Sequence, residues 1–155
     1  MSKNLVAYFS ASGVTRNVAE ALSGLVDADT YEIKPVNLYS QDDLNWMNNK
    51  SRSSLEMQDK NSRPEISGSL PNLDDYENIF IGFPVWWYTA PHIINTFLES
   101  CNITGKNLIP FATSGGSSIE KSVRDLKSQY PSANWKPGKL IKGRITKDIL
   151  KGWIE

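Results

Sequence analysis

The residues of this sequence with the clearest chemical potential are Ser10-Ala11-Ser12-Gly13-Val14-Thr15, three hydroxyls and a glycine placed directly after the apolar run Leu5-Val6-Ala7-Tyr8-Phe9. The hydroxyls can donate to an anion, and Gly13 can take backbone angles closed to other residues. Where such a segment opens a helix, the first N–H groups carry partial positive charge and hold an anion without help from lysine. A hydrogen bond to a charged group contributes about 1.5–3 kcal/mol, so a handful would hold a phosphate firmly. The alternative is an ordinary strand-to-helix turn in which Ser12 or Thr15 caps the helix.

Other anion chemistries are excluded by what stands at the decisive positions. No G-x-x-x-x-G-K-[ST] occurs, so no lysine reaches a terminal phosphate and no adjoining hydroxyl holds magnesium, and ATP hydrolysis is not expected. No G-x-G-x-x-G occurs either, which removes the usual cradle for a dinucleotide pyrophosphate. A phospho-acceptor pocket would need carboxylates after the first and third strands, where the chain has Ser10-Ala11-Ser12 and Pro84-Val85. Cys101 is followed six residues on by Asn107 rather than arginine, so it reads as a buried apolar thiol and not as a phosphatase nucleophile. One cysteine and one histidine cannot build a four-ligand metal site or an internal disulfide. His92 follows Thr89-Ala90-Pro91 and reads as an exposed or helix-capping residue before it reads as a catalytic acid. Lysine plus arginine (17) balances aspartate plus glutamate (17), without the basic excess that nucleic acid binding requires.

Two further loops carry chemistry of a different kind. Pro84-Val85-Trp86-Trp87-Tyr88-Thr89 follows an apolar run and places three aromatics in a row where burial is hard to arrange, so they call for a flat partner. Thr113-Ser114-Gly115-Gly116-Ser117 follows another such run; its glycines permit close approach, and its N–H groups can meet ring carbonyls. A phosphate cradle at one end, with aromatic stacking and amide donors at the other, describes flavin mononucleotide (FMN). Read without a ligand, the tryptophans would cap helix ends and the glycine loop would be a plain turn.

These loops need a scaffold that brings them together. Leu5–Phe9, Asn78–Phe83 and Leu108–Ala112 are short apolar runs of the kind that form strands covered on both faces, and weaker strands fit Thr30–Ile33 and Lys139–Ile141. Pro110 inside the third run predicts a bulge or a locally unpaired position. Helical spacing links Val14, Val18, Leu22 and Leu25, and again Ile119, Val123, Leu126 and Tyr130. Thr89 reads as the cap of a helix carrying Ile93, Ile94, Phe97 and Leu98; Ser117 and Glu120 have capping-box spacing; a last helix carries Ile149, Leu150 and Trp153. The alternation predicts an open, doubly wound α/β structure of three layers, its five parallel strands in the order 2-1-3-4-5. Its ligand crevice would lie where the carboxyl ends of strands 1 and 3 diverge. Residues 36–76 are the exception: polar, without a clean helical period, with short turns expected at Asp42–Met47 and Ser53–Asp59. At 155 residues the chain reads as one domain over residues 1–155. The lone cysteine and the shortness of the apolar run after Met1-Ser2-Lys3-Asn4 predict a cytoplasmic protein without a membrane span.

Through Ala7–Thr15, Gly82–Trp87 and Phe111–Ser117 the sequence resembles the flavodoxin family along its whole length, and most closely a bacterial flavodoxin-like branch with a Pro-x-Trp-Trp loop and an Arg-Pro pair, here Arg63-Pro64. By position, the resemblance implies phosphate contacts from Ser10, Ser12, Gly13, Val14 and Thr15. It implies ring contacts from Pro84, Val85, Trp86, Trp87 and Tyr88, and from Thr113, Ser114, Gly115 and Gly116. It further implies an FMN electron-transfer protein, a monomer or weak dimer, that passes electrons from a reductase to an acceptor protein. The alternative is a small FMN-dependent NAD(P)H or quinone oxidoreductase. Two features depart from the pattern. The chain is neutral where carriers of this kind are acidic. Residues 42–66, with Trp46, Arg52 and Arg63, replace a regular helix and read as solvated cover or, alternatively, as a substrate lid.

Overall fold

Strands buried on both faces must exchange all their backbone hydrogen bonds with each other, and here they do so in a single parallel sheet. The computed structural model describes residues 3–114 and 118–154. It contains β1 (Lys3–Tyr8), β2 (Ala28–Glu32), β3 (Tyr76–Pro84), β4 (Asn107–Thr113), β5 (Asn134–Trp135) and β6 (Lys139–Ile141). The order is β2-β1-β3-β4-β5, with β6 also paired to β4. The expected 2-1-3-4-5 order is therefore present, but its last position is shared by two short strands. β5 lies beside Asn107 and Leu108, and β6 beside Phe111 to Thr113.

Pro110 sits between those two partners. Against β3 the register runs through the Ile81–Pro110 pair without a shift, so the expected bulge does not form. Lys136 N donates to Leu108 O at 2.8 Å, which turns the Leu108 main chain toward the β5 edge. Backbone direction alternates along a strand, so Pro110 meets the gap between β5 and β6, where its missing N–H has no partner to lose.

Alternation also distributes the core. Leu5, Ala7, Phe9, Ile79, Ile81 and Phe83 pack with Ile93, Ile94, Phe97 and Leu98 of α3 (His92–Ser100) and with Leu126 of α4 (Glu120–Gln129). Val6, Tyr8, Phe80 and Phe111 pack on the opposite face with Val18, Ala19 and Leu22 of α1 (Val14–Val26), and Ile149 and Trp153 of α5 (Lys147–Ile154) close that side. Each fully buried leucine, isoleucine or phenylalanine contributes about 1.5–3 kcal/mol. Helix α3 begins after Pro91, not at Thr89, because Thr89 closes the preceding turn instead. The Ser117–Glu120 capping pair lies partly outside the described residues.

Within 36–76 the chain forms a single 3-10 turn at Leu73–Asp75 and one α-helix that hydrophobic period does not reveal, α2 (Arg52–Gln58), where only short turns are expected. Ser51 caps it, its Oγ accepting from Ser54 N, and the residues it buries are Ser53 and Ser54 rather than an apolar stripe. At the amino ends of the strands, four asparagines in register form a directional chain of amides. Asn134 Nδ2 donates to Asn107, Asn107 to Asn78, Asn78 to Asn4, and Asn4 to Val26 O, at 2.6–3.0 Å. Such cross-strand amide ladders hold the register of neighbouring strands.

Gly82 faces Phe111 across the β3–β4 pair, and a Cβ at Gly82 would lie 2.2 Å from Phe111 Cζ. The ring lies over the glycine. Gly82→Ala should therefore overpack this face and lower unfolding free energy by about 1–3 kcal/mol, read from urea denaturation; an unchanged midpoint would show that the ring moves aside freely.

Candidate functional site

At the end of β1, Phe9 N donates to Gly82 O at 3.0 Å, and the chain then bends into α1. Gly13 holds φ 96°, and its N–H donates to Ser10 Oγ at 3.0 Å. Since Ser10 Oγ accepts there, its own hydrogen is left to donate to a ligand. No side chain caps α1, so the first-turn N–H groups of Val14, Thr15 and Arg16 point outward along the axis. A Cβ at Gly13 would meet nothing within 4 Å, so the space beside it is open and the demand for glycine comes from φ alone. Ser12 and Val14 are exposed. Thr15 is buried, and its Oγ1 lies 2.8 Å from Thr113 Oγ1, which ties the first loop to the third. Arg16 is paired with Glu32 at 2.6 Å, which leaves the main-chain N–H groups as the positive end of this loop.

The aromatic loop is a two-residue turn. Trp86 N donates to Thr89 O at 2.9 Å and Thr89 N to Trp86 O at 3.0 Å, while Trp87 and Tyr88 hold φ 48° and 66°. Glycine and asparagine favour this geometry; an aromatic residue in a left-handed conformation costs about 1–3 kcal/mol. Helix α4 holds the turn in place: Ser122 Oγ donates to Tyr88 O, and Thr89 Oγ1 donates to Asp125 Oδ2, both at 3.2 Å. Trp87 and Tyr88 remain 43% and 61% exposed. Trp86 already has partners within the protein. Its ring is half-buried and meets Phe9 edge-on at 5.7 Å and Tyr39 at 5.4 Å.

Pro84 and Val85 are half-buried, and Val85 N donates to Thr113 O at 3.0 Å, joining the second loop to the third. Ser114 is half-buried, and Gly115 and Gly116 lie outside the described residues. The structure thus brings Ser10–Thr15, Pro84–Thr89 and Thr113–Ser114 to one end of the sheet. Two concavities, of about 490 and 440 Å³, lie elsewhere, at the amino ends of the strands beside Asp74 and Lys106 and beside Asn4 and Trp153. The carboxyl-end crevice is the candidate site, because in open parallel sheets the strand order reverses there and the helix N-termini converge.

Within residues 42–66 both arginines are paired with carboxylates. Arg52 Nε donates to Glu56 Oε2 at 3.1 Å, and Arg63 Nε bridges both carboxylate oxygens of Glu99 at 3.1 Å. Trp46 is 70% exposed. His92 is half-buried, not exposed, with Nδ1 2.6 Å from Ser62 Oγ, which also lies 2.7 Å from Glu56 O. Burial, and then the Arg63 charge, push its pKa below the usual histidine value. Cys101 is half-buried, not fully, and burial raises its thiol to about 11. Tyr39, Glu56, Ser122 and Asp125 are missed by sequence reasoning; the one signal is Tyr39, an aromatic inside a polar stretch.

A family profile described as Flavodoxin matches residues 3–155. The chain belongs to the flavodoxin family. Among solved structures it is similar to a protein from Bacteroides eggerthii provisionally named a flavoprotein, with 48% identity, 99% of this chain and 96% of that chain covered, and a TM-score of 0.95. A provisionally named flavoprotein from Bacteroides uniformis is 46% identical, with 97% of each chain covered and a TM-score of 0.94. A flavoprotein from Lactobacillus acidophilus, solved in complex with FMN, shares the fold at 23% identity, with 100% of each chain covered and a TM-score of 0.75. No curated protein matches the chain. Among the described residues, no helix is long and apolar enough to cross a membrane.

The strained turn yields a direct test. Tyr88→Gly removes an exposed ring and relieves the left-handed backbone, so the stability of the unliganded protein should stay level or rise by up to about 1 kcal/mol in urea denaturation. Tyr88→Ala, which keeps the strain, should give no such gain; a Gly variant less stable than the Ala variant would show that the turn stores no strain.

Proposed function

We propose that this chain binds FMN at the carboxyl end of its sheet and serves as a cytoplasmic electron-transfer flavoprotein, exchanging electrons with a separate reductase and acceptor. The observation that carries the reading is the uncapped start of α1, led by Gly13 in the left-handed region and set beside a turn that holds Trp87 and Tyr88 outward against their backbone preference. The donor set fits a phosphate monoester. The Ser10 and Ser12 hydroxyls and the Val14 and Thr15 N–H groups would surround it, with Thr15 and Thr113 fixing the distance to the next loop. Trp86, Trp87 and Tyr88, with Pro84 and Val85, would hold the isoalloxazine and exclude water from it, and main-chain groups of Thr113, Ser114, Gly115 and Gly116 would serve its polar rim. FMN, when bound, supplies the electron-accepting and electron-donating chemistry. That the Lactobacillus acidophilus relative was solved with FMN supports the same ligand here.

A carrier needs no proton-transferring side chain beside the flavin, and this arrangement is consistent with one. His92 is engaged with Ser62, and both arginines of the 42–66 stretch are paired with carboxylates. The FMN-loaded protein mixed anaerobically with NADH or NADPH should bleach only slowly by itself and rapidly once a separate flavin reductase is added. Fast bleaching by either nucleotide alone, with repeated turnover on a quinone, would replace the carrier reading with the oxidoreductase one. The phosphate assignment is checked in parallel. Gly13→Val should weaken FMN about tenfold or more and leave riboflavin nearly unaffected.

A further inference from the structure

Among the described residues, Tyr39 joins the 36–66 stretch to the candidate site. The Tyr39 ring meets Trp86 at 5.4 Å and Phe9 at 5.6 Å, both near edge-to-face, and Phe9 meets Trp86 at 5.7 Å. Phe9 directly precedes the Ser10–Thr15 loop and Trp86 directly precedes the strained turn, so the Tyr39 ring contacts the roots of two loops. Its other surfaces are held as well. The Arg52 guanidinium lies 3.8 Å from the ring centroid, and the Tyr39 hydroxyl donates to Glu56 Oε1 at 2.5 Å. Arg52 Nε donates to the other oxygen of the same carboxylate at 3.1 Å, and Arg52 Nη1 donates to Asn37 O at 2.7 Å. A cation on the ring face, a carboxylate on its hydroxyl and two aromatic edges leave Tyr39 a single position.

We propose that Tyr39, clamped by Arg52 and Glu56, is a positioning residue that orients Trp86 and so sets how Trp87 and Tyr88 present the flavin-ring subsite; this rests on the FMN reading given above. The stretch that replaces a regular helix then has a definite task. Arg52 and Glu56 lie on one face of α2 at positions i and i+4, and the helix carries the ion pair to the Tyr39 ring. The phosphate subsite at α1 is not part of this clamp, and the two can be separated experimentally.

The test compares FMN and riboflavin affinity, the visible absorption and circular dichroism of the bound flavin, and the near-ultraviolet dichroism of the unliganded protein. Tyr39→Leu and Glu56→Gln should each weaken FMN and riboflavin by the same factor, about two- to tenfold, with a shifted bound-flavin spectrum. Tyr39→Phe, which keeps the ring, should restore most of the affinity lost in Tyr39→Leu. Should Tyr39→Leu fail to fold, Glu56→Gln alters the clamp with no change of shape and decides the matter. Wild-type protein that binds FMN, with variants matching it in both affinities and in spectrum, would overturn the proposal alone. Wild-type protein that binds no FMN would overturn the FMN reading first and the proposal with it.

Discussion

Three loops from different parts of the chain are fastened together at Thr113. Its hydroxyl meets that of Thr15 in a buried pair, and its carbonyl accepts from Val85 N, so the last residue of β4 joins the start of α1 and the end of β3. A buried hydroxyl left without a partner costs about 1–3 kcal/mol, which opposes separation of these loops. The parallel sheet supplies the setting, because consecutive strands in this order deliver their carboxyl ends to the same edge. Everything proposed for the site depends on that junction holding.

The junction allows strain to be kept next to it. A turn with Trp87 and Tyr88 in left-handed conformations would relax if it were free. Here two backbone hydrogen bonds close it, α4 grips it through Ser122 and Asp125, and Trp86 is wedged between Phe9 and Tyr39. Each contact is modest. Together they over-determine the backbone, the condition under which unfavourable angles persist in folded proteins. The long polar stretch is part of the same device, since α2 holds Arg52 and Glu56 against the Tyr39 ring.

Much of this was legible in the sequence, for identifiable reasons. The apolar runs at Leu5, Asn78 and Leu108 announce strands covered on both sides, and Gly13 announces a backbone position that a side chain would disfavour. The fifth sheet position was harder, because β5 has two residues and its identity depends on pairing with β4. Helix α2 escaped because it buries serines, which carry no periodic hydrophobic signal. His92 and Tyr39 escaped for a related reason: their partners, Ser62 and Glu56, are distant in sequence and ordinary in type. Trp86, Trp87 and Tyr88 look alike in the sequence; only the fold separates them, packing half-buried Trp86 on Phe9 and Tyr39 and leaving Trp87 and Tyr88 exposed.

The central claim is that FMN binds between the start of α1 and the aromatic turn. An amide-resolved ¹H–¹⁵N NMR titration of the unliganded chain with FMN tests it most directly. The account predicts one-to-one saturation, with the largest shifts at Gly13, Val14, Thr15, Trp87 and Tyr88 and little change along Asn4, Asn78, Asn107 and Asn134. A spectrum unmoved by FMN, or shifts concentrated at the amino ends of the strands beside Asn4 and Trp153, would contradict it.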